Sequence, residues 1–200
     1  MAADPNEFYA RVLAAADADR RLPLPDMAGW NTMPYDMEGL RTVPLDAPSL
    51  PEPARPFETE AECVRCAERD IGIWRDDNWR LVPLGPTGLP LVLMLMSRAH
   101  YDVADLPDPL AAEFGRLIVH LTRAIEALPN IARAHTCRWG DGSAHLHVWF
   151  LARPAGFVQL RGTFAAVWDD ILPPVPVAER DGDAAEIARA LSASYGGVAT

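Results

Sequence analysis

Apolar residues recur along this chain with two different spacings, and each spacing predicts a different element. Between 109 and 128, Leu110, Phe114, Leu117, Leu121, Ile125 and Leu128 return every three or four positions, which predicts a helix with one buried face. Asp108 stands where it can cap that helix. By contrast, "LPLVLMLM" (89–96) is apolar throughout and predicts a strand buried on both faces, central in its sheet. "IARAHTCRW" (131–139) and "AHLHVWFLA" (144–152) read as two further strands joined by the turn "GDGS". "IGIWRDDNWRLVPL" predicts a hairpin of two short strands around Asp76, Asp77 and Asn78.

The flanks read differently. Residues 4–20 predict a helix capped by Asp4, with Pro5 in its first turn and Glu7 placed for a capping box. Five prolines between Pro44 and Pro56 favour extended backbone without ladder partners, so 1–58 is expected to be a helix followed by a proline-rich arm. Trp30, Met33, Tyr35 and Met37 are its candidate anchors. The compact domain is expected over 59–156, and a helical extension over 157–200. In that extension Leu160, Phe164, Val167 and Ile171 mark one helix, and a last one (about 183–195) starts at an Asp cap and stops at Gly196-Gly197. The class is α+β with a mainly antiparallel sheet.

Composition narrows the partners. A formal net charge of −10 argues against a nucleic-acid binder, which needs a basic face. It leaves room for a small anionic ligand held by a few donors. Leu89 to Met96 is too short an apolar run to span a bilayer, so no membrane partner is expected. The first residues lack a basic segment followed by an apolar one, and three cysteines do not suggest a disulfide framework; a cytoplasmic location is the expectation.

The chemistry concentrates in "SAHLHVWF" (143–150). On a strand, alternate side chains share a face, so His145, His147 and Trp149 are expected on one side and Leu146, Val148 and Phe150 on the core side. Two such histidines can simply be core residues bonded to backbone carbonyls. "CVRC" shifts the balance, because Cys63 and Cys66 have the spacing with which two thiolates grip a tetrahedral ion. Alone, that spacing is ambiguous among metal, redox chemistry and chance, although nothing around it resembles the strand-to-helix setting of a thioredoxin-type site. His100, in "SRAH", and His145 are the best candidates to complete a Cys2His2 zinc site, closed and hence structural. His147 would then be free. His120 on the long helix reads as exposed, His135 and Cys137 as packing residues, and Asp169 and Asp170 as solvated.

"CVRC", "LVLMLMSRAHYDVADLP", the amphipathic helix and "AHLHVWFLARP" together resemble the histidine-triad superfamily over roughly residues 60–155. "HLHVW" is similar to its His-x-His-x-His signature, with Trp149 in the third place. The branch containing galactose-1-phosphate uridylyltransferase also lacks the third histidine, and the resemblance carries its zinc ligands onto Cys63, Cys66, His100 and His145. It implies that His147 attacks the α-phosphorus of a nucleotide or nucleotide-sugar ligand to form a covalent nucleotidyl-histidine, for hydrolysis or transfer. Ser143, Arg138 and Arg153 are candidate phosphate donors, and Trp149 a donor or stacking surface. A homodimer through the long helix and an adjacent strand is implied as well.

Two departures stand out. Indole offers one donor and no acceptor, unlike His or Gln. "CRWGDGSAHLH" is also shorter than the family's phosphate loop and lacks its Asn and Gln. The alternative reading is therefore a zinc-stabilised protein of the same fold with impaired chemistry, binding a nucleotide or a protein partner.

Overall fold

A computed structural model describes residues 4–200, whose contacts divide into one unit ending at Ala54 and a second spanning Arg55–Thr200. In the first unit, α1 (Pro5–Ala14) begins where the Asp4 carboxylate accepts the amides of Asn6 and Glu7. It stops well short of residue 20. The Asp17 carboxylate captures the amides of Asp19 and Arg21, and Arg20 turns to φ 62°, so a side-chain turn replaces the helix ladder. The proline-rich segment folds back within this unit: the Thr42 hydroxyl donates to Leu22 O at 2.6 Å, and the Tyr9 hydroxyl to Leu45 O. Trp30, Tyr35 and Met37 remain exposed.

The second unit is built on a six-stranded antiparallel sheet in the order β4-β5-β3-β2-β1-β6. Its strands are β1 (Trp74–Arg75), β2 (Trp79–Pro83), β3 (Leu91–Ser97), β4 (Ile131–Cys137), β5 (His147–Pro154) and β6 (Val198–Ala199). The hairpin around Asp76–Asn78 forms, and the Asp76 carboxylate accepts the amides of Asn78 and Trp79 to make its turn. β3 lies inside the sheet with all seven residues buried, as continuous apolarity demands.

One face of the sheet carries the main core. Leu81, Leu93, Leu95, Val148 and Phe150 meet Leu117, Leu121 and Ile125 of α3 (Asp108–Glu126) and Ile187 and Leu191 of α5 (Val177–Ser194). Pro107, not Asp108, is the residue that precedes α3; Asp108 lies in the first turn, where its charge complements the exposed amides. α5 also starts earlier than its acidic residues suggest. Pro176 is extended just before it, and packing of Ala184 and Ile187 on the core outweighs the cost of Gly182 within the helix. Past its end, Gly197 (φ 77°) allows β6 to pass Trp74, which a Cβ there would strike at 2.6 Å.

A smaller cluster covers part of the opposite face, where Val92 and Leu151 pack with Leu160 and Ala165 beneath α4 (Phe164–Ile171). Asp169, expected to be solvated, pins this helix down. Its Oδ1 accepts the amides of Gly88 and Leu89, both at 2.8 Å, and the Thr87 hydroxyl. No helix among the described residues is long and apolar enough to cross a membrane.

Candidate metal centre and the neighbouring histidine

Cys63 leads into the short α2 (Val64–Ala67), which brings Cys66 back to the same side one turn later. Both thiols are buried. His100 follows β3, and His145 sits just before β5. Ligand atoms of Cys63, Cys66, His100 and His145 all lie within 4.8 Å of one another. Cys63 Sγ and Cys66 Sγ each stand 3.4 Å from His145 Nδ1, and Cys66 Sγ is 3.4 Å from His100 Nδ1.

The expected single strand face breaks at its start. Ala144 N donates to Pro56 O and Leu146 N to Tyr101 O, so residues 144–146 are held by loops rather than by the sheet ladder. His145 is thereby turned into the cysteine cluster, and only from His147 onward does strand alternation apply. Leu146, Val148 and Phe150 enter the main core, whereas His147 and Trp149 stay partly exposed on the other face.

His145 is prepared as a ligand. Its Nε2 is 2.8 Å from Ser97 O, an acceptor only, so Nε2 carries the proton and Nδ1 presents a lone pair to the two sulfurs. Burial lowers its pKa, against a smaller opposing pull from that carbonyl, and so favours the neutral ring a metal requires. Burial likewise pushes the Cys66 thiol up to about 12, with the neighbouring Cys63 adding to the effect. A Cys66 thiol held this way ionises readily only against a cation. The donor set, its tight convergence and the tautomer of His145 fit a closed tetrahedral zinc with a structural role.

Arg80, which the sequence did not flag, supports the cysteine turn from below. It is 1 % exposed and donates to Arg65 O inside the C-x-x-C at 3.2 Å and to Ile71 O at 2.8 Å. Its position in β2, between Trp79 and Leu81, looks like ordinary strand alternation, so no sequence signal separates it from a surface arginine.

His147 has the opposite arrangement. Its Nδ1 lies 2.8 Å from His145 O, so Nδ1 donates there and Nε2 is left bare. Trp149, two residues on, packs edge-to-face with Trp139 at 5.9 Å between ring centroids.

The remaining candidate donors are not gathered around His147. Ser143 is buried and its Oγ accepts the amide of His145 at 3.1 Å, a local turn contact. Arg138 pairs with Asp102, which Arg55 also grips at 2.6 Å. Arg153 donates to Pro154 O and Phe157 O, and six residues of strand place its backbone roughly 20 Å from His147. His135 and Cys137 do share a strand face, but the clustered metal donors do not include them. His120 bonds Ser194 Oγ at 3.2 Å and meets Tyr195 edge-to-face.

No family model matches this sequence, and no curated protein does. Solved structures are more informative. A histidine triad protein from Bradyrhizobium japonicum is similar over 64 % of this chain and 94 % of its own, with TM-score 0.50 and 19 % identity. The fold is that of a histidine triad protein. Two others with this fold name are a Zn-bound histidine triad family protein from Mycobacterium smegmatis (TM-score 0.49, 17 % identity, 68 % and 96 % covered) and a hypothetical histidine triad nucleotide-binding protein from Sulfolobus tokodaii (TM-score 0.48, 13 % identity, 67 % and 97 % covered). At these identities the histidine triad likeness concerns architecture, and any chemistry rests on the residues themselves.

Proposed function

We propose that this chain is a zinc-stabilised enzyme of the histidine triad fold that cleaves a nucleotidyl phosphate bond through a covalent intermediate on His147. One observation carries the reading: the His147 ring is locked by its bond to His145 O, with the bare Nε2 on a partly exposed sheet face. An imidazole so held presents its Nε2 lone pair as a nucleophile. The zinc supplies no chemistry in this scheme; when bound, it fixes the segment that leads into His147. Cys63, Cys66, His100 and His145 hold it, and His145 in turn holds His147 through its carbonyl. The acceptor is water or a sugar phosphate.

Incubating the protein with labelled dinucleoside polyphosphates, nucleotide sugars and nucleoside phosphoramidates should yield a labelled peptide containing His147, and His147→Asn should abolish it. Absence of both turnover and adduct across the panel defeats the proposal.

A second reading is favoured by the fates of the donors: Ser143 and Arg138 are engaged elsewhere and Trp149 is packed on Trp139. On this reading the protein binds a nucleotide or protein partner without turning it over. The two readings separate on Trp149→His, since activity that appears only in the variant favours the second.

A further inference from the structure

Positive charge is unevenly placed along this chain. Residues 127–168 carry four arginines and a single acidic residue, Asp141, although the whole chain has a net charge of −10. Within that stretch the turn that follows β5 displays two apolar neighbours, Phe157 at 62 % exposure and Val158 at 53 %. The turn is tethered at both ends. Ala155 N donates to Asn130 O at 2.7 Å, Leu160 N donates to Phe157 O, and Leu160 itself is buried in the smaller cluster beneath α4. Two guanidinium groups hold the exposed residues by their carbonyls: Arg153 donates to Phe157 O at 3.4 Å, and Arg161 Nε to Val158 O at 2.5 Å. Arg133 on β4 stands directly across from Arg153, so a third cation shares that sheet face. Like charges so placed repel, and an anionic partner would relieve them.

We propose that this turn is a tip that rests on an anionic bilayer surface, with Phe157 and Val158 entering the acyl boundary and Arg133, Arg153 and Arg161 meeting lipid phosphates. Its chemistry is layered as a bilayer surface is layered. The apolar side chains stand exposed, and two of the cations lie one hydrogen bond from the backbone that carries them. Surfaces of this kind bind through buried apolar area together with attraction to anionic headgroups. A nucleic acid would meet the arginines but leave Val158 in water. The rest of the chain holds nearly all the acidic residues and is repelled by the same surface, which orients the molecule with this end inward. Screening confines that repulsion to about 8–10 Å in physiological salt, so acidic groups far from the tip do not cancel its attraction. Resting on a bilayer needs no spanning run, so the shortness of Leu89–Met96 does not bear on it. Nothing in this attachment depends on the chemistry at His147.

The test is sedimentation of the full zinc-loaded chain with vesicles of phosphatidylcholine, alone or mixed with phosphatidylserine. The mixed vesicles should carry the protein down at low salt and release it at high salt, and the neutral ones should not bind it. Phe157→Ser combined with Val158→Ser, checked by melting temperature, should weaken binding at least about tenfold, the factor that burial of one apolar side chain supplies. Arg133→Gln should weaken it about fivefold, and His147→Asn not at all. Millimolar glycerol 3-phosphate should not displace the protein, since a free phosphate offers no acyl layer. In Phe157→Trp, brominated acyl chains in the mixed vesicles should quench the added fluorescence. No sedimentation with either vesicle, equal sedimentation with both, or binding that survives loss of Phe157 and Val158 overturns the proposal. Binding to an acidic, leucine-containing peptide in place of vesicles overturns it too, and assigns the tip to a protein partner.

Discussion

His145 and His147 stand two residues apart and their environments are opposed. The first is 1 % exposed, with one nitrogen spent on Ser97 O and the other facing two sulfurs. The second is partly exposed, spends Nδ1 on a carbonyl and keeps Nε2 free. In both rings a backbone carbonyl chooses the tautomer, and it chooses opposite nitrogens. The roles of the pair are set by which main-chain oxygen each ring meets, with the residue type held constant. Moreover, the carbonyl that orients His147 belongs to His145, so the backbone of the buried residue positions the exposed ring.

The largest effects should come from the buried side of the comparison. Cys63→Ser or Cys66→Ser, or removal of zinc by a strong chelator, should cost about 4–5 kcal/mol or more. Thermal melting combined with metal analysis checks this; a metal-free protein melting at the native temperature would break the link between cluster and fold. Arg80→Met should leave the protein folded while speeding chelator extraction of zinc, by roughly 10–100-fold as for other groups that support metal ligands. An unchanged extraction rate would mean that the Arg65 carbonyl is held adequately without it.

On the exposed side, His147→Asn should abolish labelling, retain the zinc and change stability by no more than about 0.5 kcal/mol. The difference between this variant and the cysteine variants is the sharpest form of the comparison. Away from both rings, Asp169→Ala should destabilise by about 1.5–3 kcal/mol, because three donors of the 87–89 segment lose a charged acceptor. Urea unfolding measures it.

The smallest effect concerns pH. The guanidinium groups of Arg55 and Arg138, with the Val103 amide, hold the Asp102 carboxyl below its ordinary value despite an opposing burial effect. A depressed acid stabilises the fold above its unfolded pKa and loses that contribution as pH falls through the lower folded value. Asp102→Asn should therefore flatten a small part of the acid limb of the stability profile below the usual carboxylate range, with little change at pH 7 in its slope.

Legibility from sequence followed the range of the physics. Continuous apolarity gave away β3, the three-to-four repeat gave away α3, and C-x-x-C with His100 and His145 gave away the donors of the metal cluster, because each pattern is local or has fixed chemistry. The start of α5 was hidden, since burial of Ile187 and Leu191 against the sheet decides it and Gly182 argues locally for a break. The Asp169 clip and the Arg80 support were hidden for the same reason: their partners lie about 80 and 15 residues away. Asp17 shows the converse. A local side-chain turn ended α1 early, although apolar spacing continued.

The opposed tautomers can be measured directly by long-range 15N–1H NMR on the zinc-loaded protein near neutral pH. The result expected is a proton on Nε2 of His145, with its Nδ1 on the metal, and a proton on Nδ1 of His147 with an unprotonated Nε2. A His147 ring carrying its proton on Nε2, or a His145 ring free of the metal, would contradict the account.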